Sequence, residues 1–184
     1  MKDPKNLQTF FEFFEKDGPG MIELQDHLDS AVVKEPEMDF NNWFGTEGEN
    51  YSKTLKEFIE DPAGGFYVFW YYKENLDPDE VPVCHLGGEG TAKVVAGNFD
   101  EFMQIYAGGW KTEIFSDEDE FYKEEDNIDD PEEKEKFKTG LSHFVKWIKE
   151  KCDLEPAPDP IKIVKRAKER IPNFKKWVDE KIAY

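Results

Sequence analysis

Cysteine is nearly absent from this 184-residue chain, with only Cys84 and Cys152 present. Two thiols make no disulfide framework, so the sequence points to a reducing, cytoplasmic setting. Histidine is as scarce, and His27, His85 and His143 are the whole set. No C-x-x-C or H-x-x-x-H spacing occurs, which excludes the common zinc patterns. Cys84 and His85 are adjacent, and adjacent strand residues point to opposite faces, so they do not share a metal. Long apolar runs are missing too. The longest, Phe66 to Trp70 extended by Tyr71 and Tyr72, is far short of the roughly 20 residues that span a bilayer. The opening residues, Met1-Lys2-Asp3-Pro4-Lys5, lead into a charged amphipathic stretch and not into the apolar region of a signal peptide. Serine is confined to Ser30, Ser52, Ser116 and Ser142. None sits in a G-x-S-x-G elbow, which leaves a nucleophilic hydrolase without support.

Basic charge is in deficit. Lys and Arg number 24 against 42 Asp and Glu, a formal net charge of −18. Such a chain repels nucleic acid and anionic membranes as a whole, leaving room only for a local basic patch. What the chain has in quantity is aromatic residues, 15% of the total with 16 Phe and 5 Trp. A domain of this length buries about 70% of its unfolded surface, and these side chains supply the core. The charge is unevenly spread. Residues 1–112 are acidic, residues 113–135 carry 13 acids against 2 bases, and residues 136–184 are basic. The order is an acidic body, a very acidic connector at 113–130, and a basic helical extension at 131–184. The chain reads as one domain over 1–184, with no internal repeat.

Local patterns predict the elements. Asp3 and Pro4 mark a helix start, and Leu7, Phe10, Phe11 and Phe14 form one apolar face that Gly18-Pro19-Gly20 ends. Residues 21–45 fit strand or helix equally. Leu55, Phe58 and Ile59 carry a helical spacing that predicts a short second helix. Phe66–Tyr72 is apolar on both alternating faces, so it predicts a central strand covered above and below. Val81–Leu86 and Thr91–Ala96, joined by Gly87-Gly88-Glu89-Gly90, predict a hairpin. Asn98 and Glu101 form a capping box for a helix with Phe99, Phe102, Met103 and Tyr106 inward. Asp130-Pro131 starts another helix, with Phe137, Leu141, Phe144, Val145 and Ile148 as its stripe. Asp159-Pro160 starts one more, and Pro172 precedes Phe174, Trp177, Val178 and Ile182 on a last inward face. Helices, then strands, then helices give an α+β fold, a small largely antiparallel sheet flanked by N-terminal and C-terminal helices.

The candidate chemistry is thin. The Gly87–Gly90 segment is followed by strand and lacks the Lys-Ser/Thr of a phosphate loop, so it is a turn. With 42 acids present, any histidine finds a carboxylate neighbour, and half-buried or surface histidine is the expectation for all three. Cys84 reads as a small core residue. Calcium of the EF-hand type fails in the connector, because the sixth position from Asp117 or Asp126 is Tyr122 or Pro131. The connector reads first as a solvated, self-repelling stretch. The sharper reading makes Asp117, Glu118, Asp119, Glu120, Glu124, Glu125 and Asp126 a surface that captures a basic protein. The basic extension is expected to dock on the acidic body, with Trp147 and Trp177 as packing residues.

The middle of the chain adds an ordered set of motifs. It runs Asp61-Pro62-Ala63-Gly64-Gly65-Phe66-Tyr67-Val68-Phe69-Trp70, then Val81-Pro82-Val83, then His85-Leu86-Gly87-Gly88-Glu89-Gly90, then Val94-Val95-Ala96-Gly97-Asn98-Phe99-x-x-Phe102. This resembles the SUKH superfamily, which includes bacterial toxin-immunity proteins and eukaryotic cell-wall-synthesis regulators. The resemblance implies a non-enzymatic protein-binding domain with no catalytic residues, metal or cofactor. It implies an immunity protein that neutralises a cognate toxin, of nuclease or deaminase type, by direct binding. The matched residues Gly64, Gly65, Trp70, Gly87, Glu89, Gly90 and Phe102 are fold-makers. A regulatory or scaffold module binding a host protein is the alternative, and a hydrolase using His85 or His143 comes last. The acidic connector and the added helices depart from the family pattern.

Overall fold

The computed structural model describes residues 1–15, 20, 24, 31, 32, 44, 53–61 and 63–182. The open assignment at 21–45 lies largely outside them, as do His27 and most of the Gly18-Pro19-Gly20 stop. Helix α1 spans Leu7–Phe14. A five-stranded sheet follows, built from β1 (Ala31–Val32), β2 (Leu55–Glu60), β3 (Phe66–Trp70), β4 (Val83–Leu86) and β5 (Ala92–Ala96), in that spatial order. Each neighbouring pair is antiparallel. Helix α2 is Phe99–Ala107, and the strands β6 (Trp110–Thr112) and β7 (Phe121–Lys123) form a second, two-stranded sheet. Helices α3 (Pro131–Cys152), α4 (Pro160–Arg170) and α5 (Phe174–Asp179) complete the described chain. The fold is α+β, with helices flanking an antiparallel sheet.

The alternation in β3 explains the layering. Tyr67 and Phe69 face a core shared with α1, α2 and α3, where Phe10, Phe99, Phe102, Phe137 and Phe144 pack. Val68 and Trp70 face the other core, against Ala167 of α4 and Phe174 and Val178 of α5. The strand is buried from both sides, as its sequence predicts. The hairpin β4–β5 turns on Gly87–Gly90, with Gly90 at φ +90°. Asn98 caps α2 by accepting from the Glu101 amide at 2.8 Å, and Glu101 reaches back to the Gly97 amide at 2.9 Å. The basic extension does dock on the body. Arg166 and Arg170 lie 3.6 Å from Glu101, and Lys168 lies 2.5 Å from Asp119.

Two local expectations are corrected. The segment containing Leu55, Phe58 and Ile59 is strand β2, not helix. A bulge between Glu57 and Ile59 places Phe58 and Ile59 in one core while Leu55 faces the other. Two successive residues in one core after a residue in the other imitate helical spacing. Helix α1 starts at Leu7 and not at Pro4. Asp3 is engaged with the Lys56 ammonium on β2, and Asn6 spends its side chain on Asp100 at 2.7 Å.

One glycine fixes how closely α3 approaches the body. A Cβ at Gly140 would stand 2.1 Å from the Gly20 carbonyl oxygen and 2.9 Å from Leu24 Cβ. Both obstacles belong to the backbone or its first side-chain atom, so the helix must shift. Gly140→Ala is expected to lower the unfolding free energy by about 2–3 kcal/mol in urea denaturation, despite alanine's better helix propensity.

Candidate functional site

The acidic connector is an ordered structure built around one buried cation. Lys93 lies on β5 and is only 3% exposed. Its ammonium donates to the carbonyls of Ser116 at 2.8 Å and Glu118 at 3.2 Å, and to that of Glu113. Neighbouring β5 groups add two further anchors. The Thr91 hydroxyl donates to the Ile114 carbonyl at 2.8 Å, and the Ala92 amide donates to Asp117 Oδ1 at 2.8 Å. Inside the loop, the Phe115 amide donates to Glu113 Oε1 at 3.0 Å and the Glu118 amide to Ser116 Oγ at 3.1 Å. The Glu113 amide closes the neck on the Glu120 carbonyl at 3.0 Å.

The stretch at 113–120 expected to be solvated and self-repelling is thus anchored through its backbone, while Asp117, Glu118 and Glu120 remain exposed. A lysine chain long enough to reach the loop satisfies three carbonyls at once and offsets the carboxylates around it. Burial pulls the Lys93 ammonium below the ordinary lysine range, against the opposing pull of Glu113, Asp119, Asp117 and Glu120.

The loop displays an unusual tip. Phe115 is 59% exposed, the most exposed large apolar side chain among the described residues. Asp117, Glu118 and Glu120 are exposed beside it. Asp119 is half-buried in its contact with Lys168. The remaining sequence candidates lie apart from this tip. Glu124, Glu125 and Asp126 form a 3-10 turn that leads toward α3. Glu124 is buried, Glu125 sits 3.1 Å from Lys138, and Asp126 is exposed. The seven carboxylates are thus two groups, and only the first surrounds an exposed apolar residue.

A second polar cluster is hidden in the sheet. His85 Nε2 lies 2.6 Å from Asp61 Oδ2, with both side chains fully buried. Asp61 also accepts from the Ala63 amide at 2.7 Å and the Gly65 amide at 3.0 Å. Burial pushes the Asp61 carboxyl up, but the His85 and amide hydrogen bonds outweigh it and hold it below its ordinary value. Burial holds His85 below its ordinary value despite the partner carboxylate. The neutral ring therefore donates from Nε2, and its buried Nδ1 has no hydrogen-bond partner among the described residues. The expectation of a half-buried or surface histidine is corrected here: β4 is internal, and Asp61 makes the buried ring tolerable. His143 lies exposed on α3.

Two of the motif glycines, Gly65 and Gly87, lie against this cluster. Gly65 has no room for a Cβ, which would meet Asp61 Oδ2 at 2.2 Å, and a Cβ at Gly87 would meet Thr91 Oγ1 at 2.2 Å. Gly64 needs its positive φ of 77°. Trp70 and Phe102 are buried, whereas Glu89 is exposed in the turn. Among the described residues no group of histidine, cysteine and carboxylate side chains is arranged to hold a metal ion. None of their helices is long and apolar enough to cross a membrane. Sequence reasoning missed Lys93, Phe115 and Asp61. For Lys93 the one available signal was a lysine at an inward position of a strand otherwise made of alanine and valine.

Comparison of the chain with protein-family models, curated proteins and solved structures finds no match.

Proposed function

We propose that this chain is a non-enzymatic protein-binding domain that captures a basic partner on the 113–120 loop. The observation that carries the reading is Phe115, 59% exposed at the tip of an acidic loop held in place by Lys93. A fixed loop loses little further conformational freedom on binding. An aromatic side chain entering a partner pocket is the usual source of binding energy, and the carboxylates around it speed encounter with positive charge. The resemblance to the SUKH superfamily supports the sharper proposal that the partner is a toxin domain of nuclease or deaminase type. Such domains are basic where they hold phosphate, which suits an acidic inhibitor. The buried position of His85 supports a binding role over a hydrolytic one, since no substrate reaches a ring with no exposed surface.

The test is capture of the partner from the source cell with the full chain as bait, at low and then high salt. A stoichiometric basic protein released by salt is expected. Phe115→Ala is expected to weaken that complex by about tenfold or more. The amide set Asp117→Asn, Glu118→Gln, Asp119→Asn and Glu120→Gln is expected to slow association and flatten its salt dependence. Equal binding by both variants would remove this loop from the interface.

A further inference from the structure

An open cleft of about 980 Å³ lies beside the segment that follows β3, lined there by Tyr71 and Tyr72 and from α5 by Trp177. Four lysines line it: Lys2, Lys53, Lys73 and Lys181. None of the four makes an ion pair within the described chain. This is unlike the lysines of α3 and α4, where Lys136, Lys146, Lys149, Lys162 and Lys168 all stand beside carboxylates. Among the described residues of the wall, only Glu74 and Asp77 are acidic. The described lining of the cleft thus carries more positive than negative charge, on a chain of net charge −18.

Its walls are aromatic and supported from behind. Tyr72 and Trp177 line the cleft. Both rest on buried Trp70, with ring centroids 5.3 and 5.4 Å away, and Trp177 also stacks on Phe174. Tyr71 donates its hydroxyl to the Lys2 carbonyl at 2.7 Å, which ties the first residues to the rim. The Lys73 ammonium lies 5.6 Å from the centroid of the Tyr72 ring, and aromatic faces beside ammonium groups that lack a carboxylate partner suit a ligand with one flat ring and one compact anion.

The size and charge of the site narrow the class. Its volume matches small-molecule sites, which run to about 1,000 Å³. An extended polyanion would feel the whole acidic surface, whereas a small anion within the roughly 8 Å screening length of physiological salt feels mainly the four lysines. We propose that this cleft binds a nucleoside monophosphate, its base against Tyr72 and Trp177 and its phosphate among the lysines. The proposal goes beyond the protein-partner reading and stands or falls separately from it.

Calorimetric titration of the full chain with AMP, adenosine and inorganic phosphate tests it. AMP is expected to bind at one site, with adenosine and phosphate each at least about tenfold weaker, because each offers half of the contacts. Lys53→Gln with Lys73→Gln is expected to weaken AMP by about tenfold or more. Tyr72→Leu is expected to weaken it as well, with an unchanged circular dichroism spectrum. Lys134→Gln with Lys165→Gln, which removes two lysines away from the cleft, should leave AMP binding unchanged. The proposal is overturned if AMP gives no saturable heat at millimolar concentration. It is equally overturned if phosphate alone binds as tightly as AMP, or if the distant lysine pair matters as much as the cleft pair.

Discussion

Asp61→Ala is expected to reduce the unfolding free energy by about 3–5 kcal/mol, measured by urea denaturation at neutral pH. The side chain closes the turn after β2 and holds β4 at once. Its carboxylate accepts from the Ala63 and Gly65 amides and from His85 Nε2. Alanine leaves those donors without their acceptor, and the Gly65 amide and the imidazole are buried. A domain of this size has only about 5–15 kcal/mol in hand, so the variant sits near the edge of folding. Asp61→Ala combined with His85→Phe should lose less than the sum of the two single changes, since removing both partners leaves no orphaned charge or ring nitrogen.

The same pair gives a pH signature whose sign is fixed. His85 binds its proton less readily in the folded chain than its ordinary value of 6.5. Its contribution is therefore fully present above about pH 6.5 and is lost as pH falls below it, because the unfolded chain takes up the proton first. Asp61 is also held below its ordinary value of 3.8, so its share disappears only at still lower pH. Subtracting the stability profile of His85→Gln from that of the native chain isolates the upper step. A difference that stays flat between pH 7 and about pH 5 would contradict the buried neutral ring.

The second large effect concerns Lys93. Lys93→Met keeps an unbranched apolar stem of nearly the same reach but removes the donor to the Glu113, Ser116 and Glu118 carbonyls. A loss of about 2–4 kcal/mol is expected, from charged hydrogen bonds broken at a buried site. The damage should be local. Carboxylates at 117–120 would face one another without the central cation, and amide exchange across 113–120 should accelerate while α3 stays protected. On the binding account, the variant also loses partner affinity although no partner-facing side chain has changed. Unaltered exchange at 113–120 would show that the loop is held by something other than Lys93.

These two centres mark the boundary of what the sequence discloses. The β4–β5 turn, the Asn98 cap and the long stripe of α3 are legible because their signals lie within a few neighbouring residues. Strand β2 was not, because a bulge turns a period-two pattern into a helical one. The order of the acidic loop was hidden for a different reason. Lys93 stands 20 to 25 residues from the carbonyls it binds, and Asp61 stands 24 residues from His85. Spacing rules do not register contacts made across the sheet. The start of α1 moved for the same cause, since Lys56 claims Asp3 from far along the chain. Of the seven carboxylates picked out by charge alone, the loop at 117–120 gains a specific setting from Phe115, which charge counting could not single out.

On the proposed reading, the Lys93-held loop is the surface a partner meets. Hydrogen exchange of the full chain, free and bound to the partner captured from the source cell, tests it most directly. New protection is expected to concentrate at residues 113–121, with the cleft around Lys53 and Lys73 unchanged. Protection that falls elsewhere, with 113–121 exchanging as in the free chain, would contradict it.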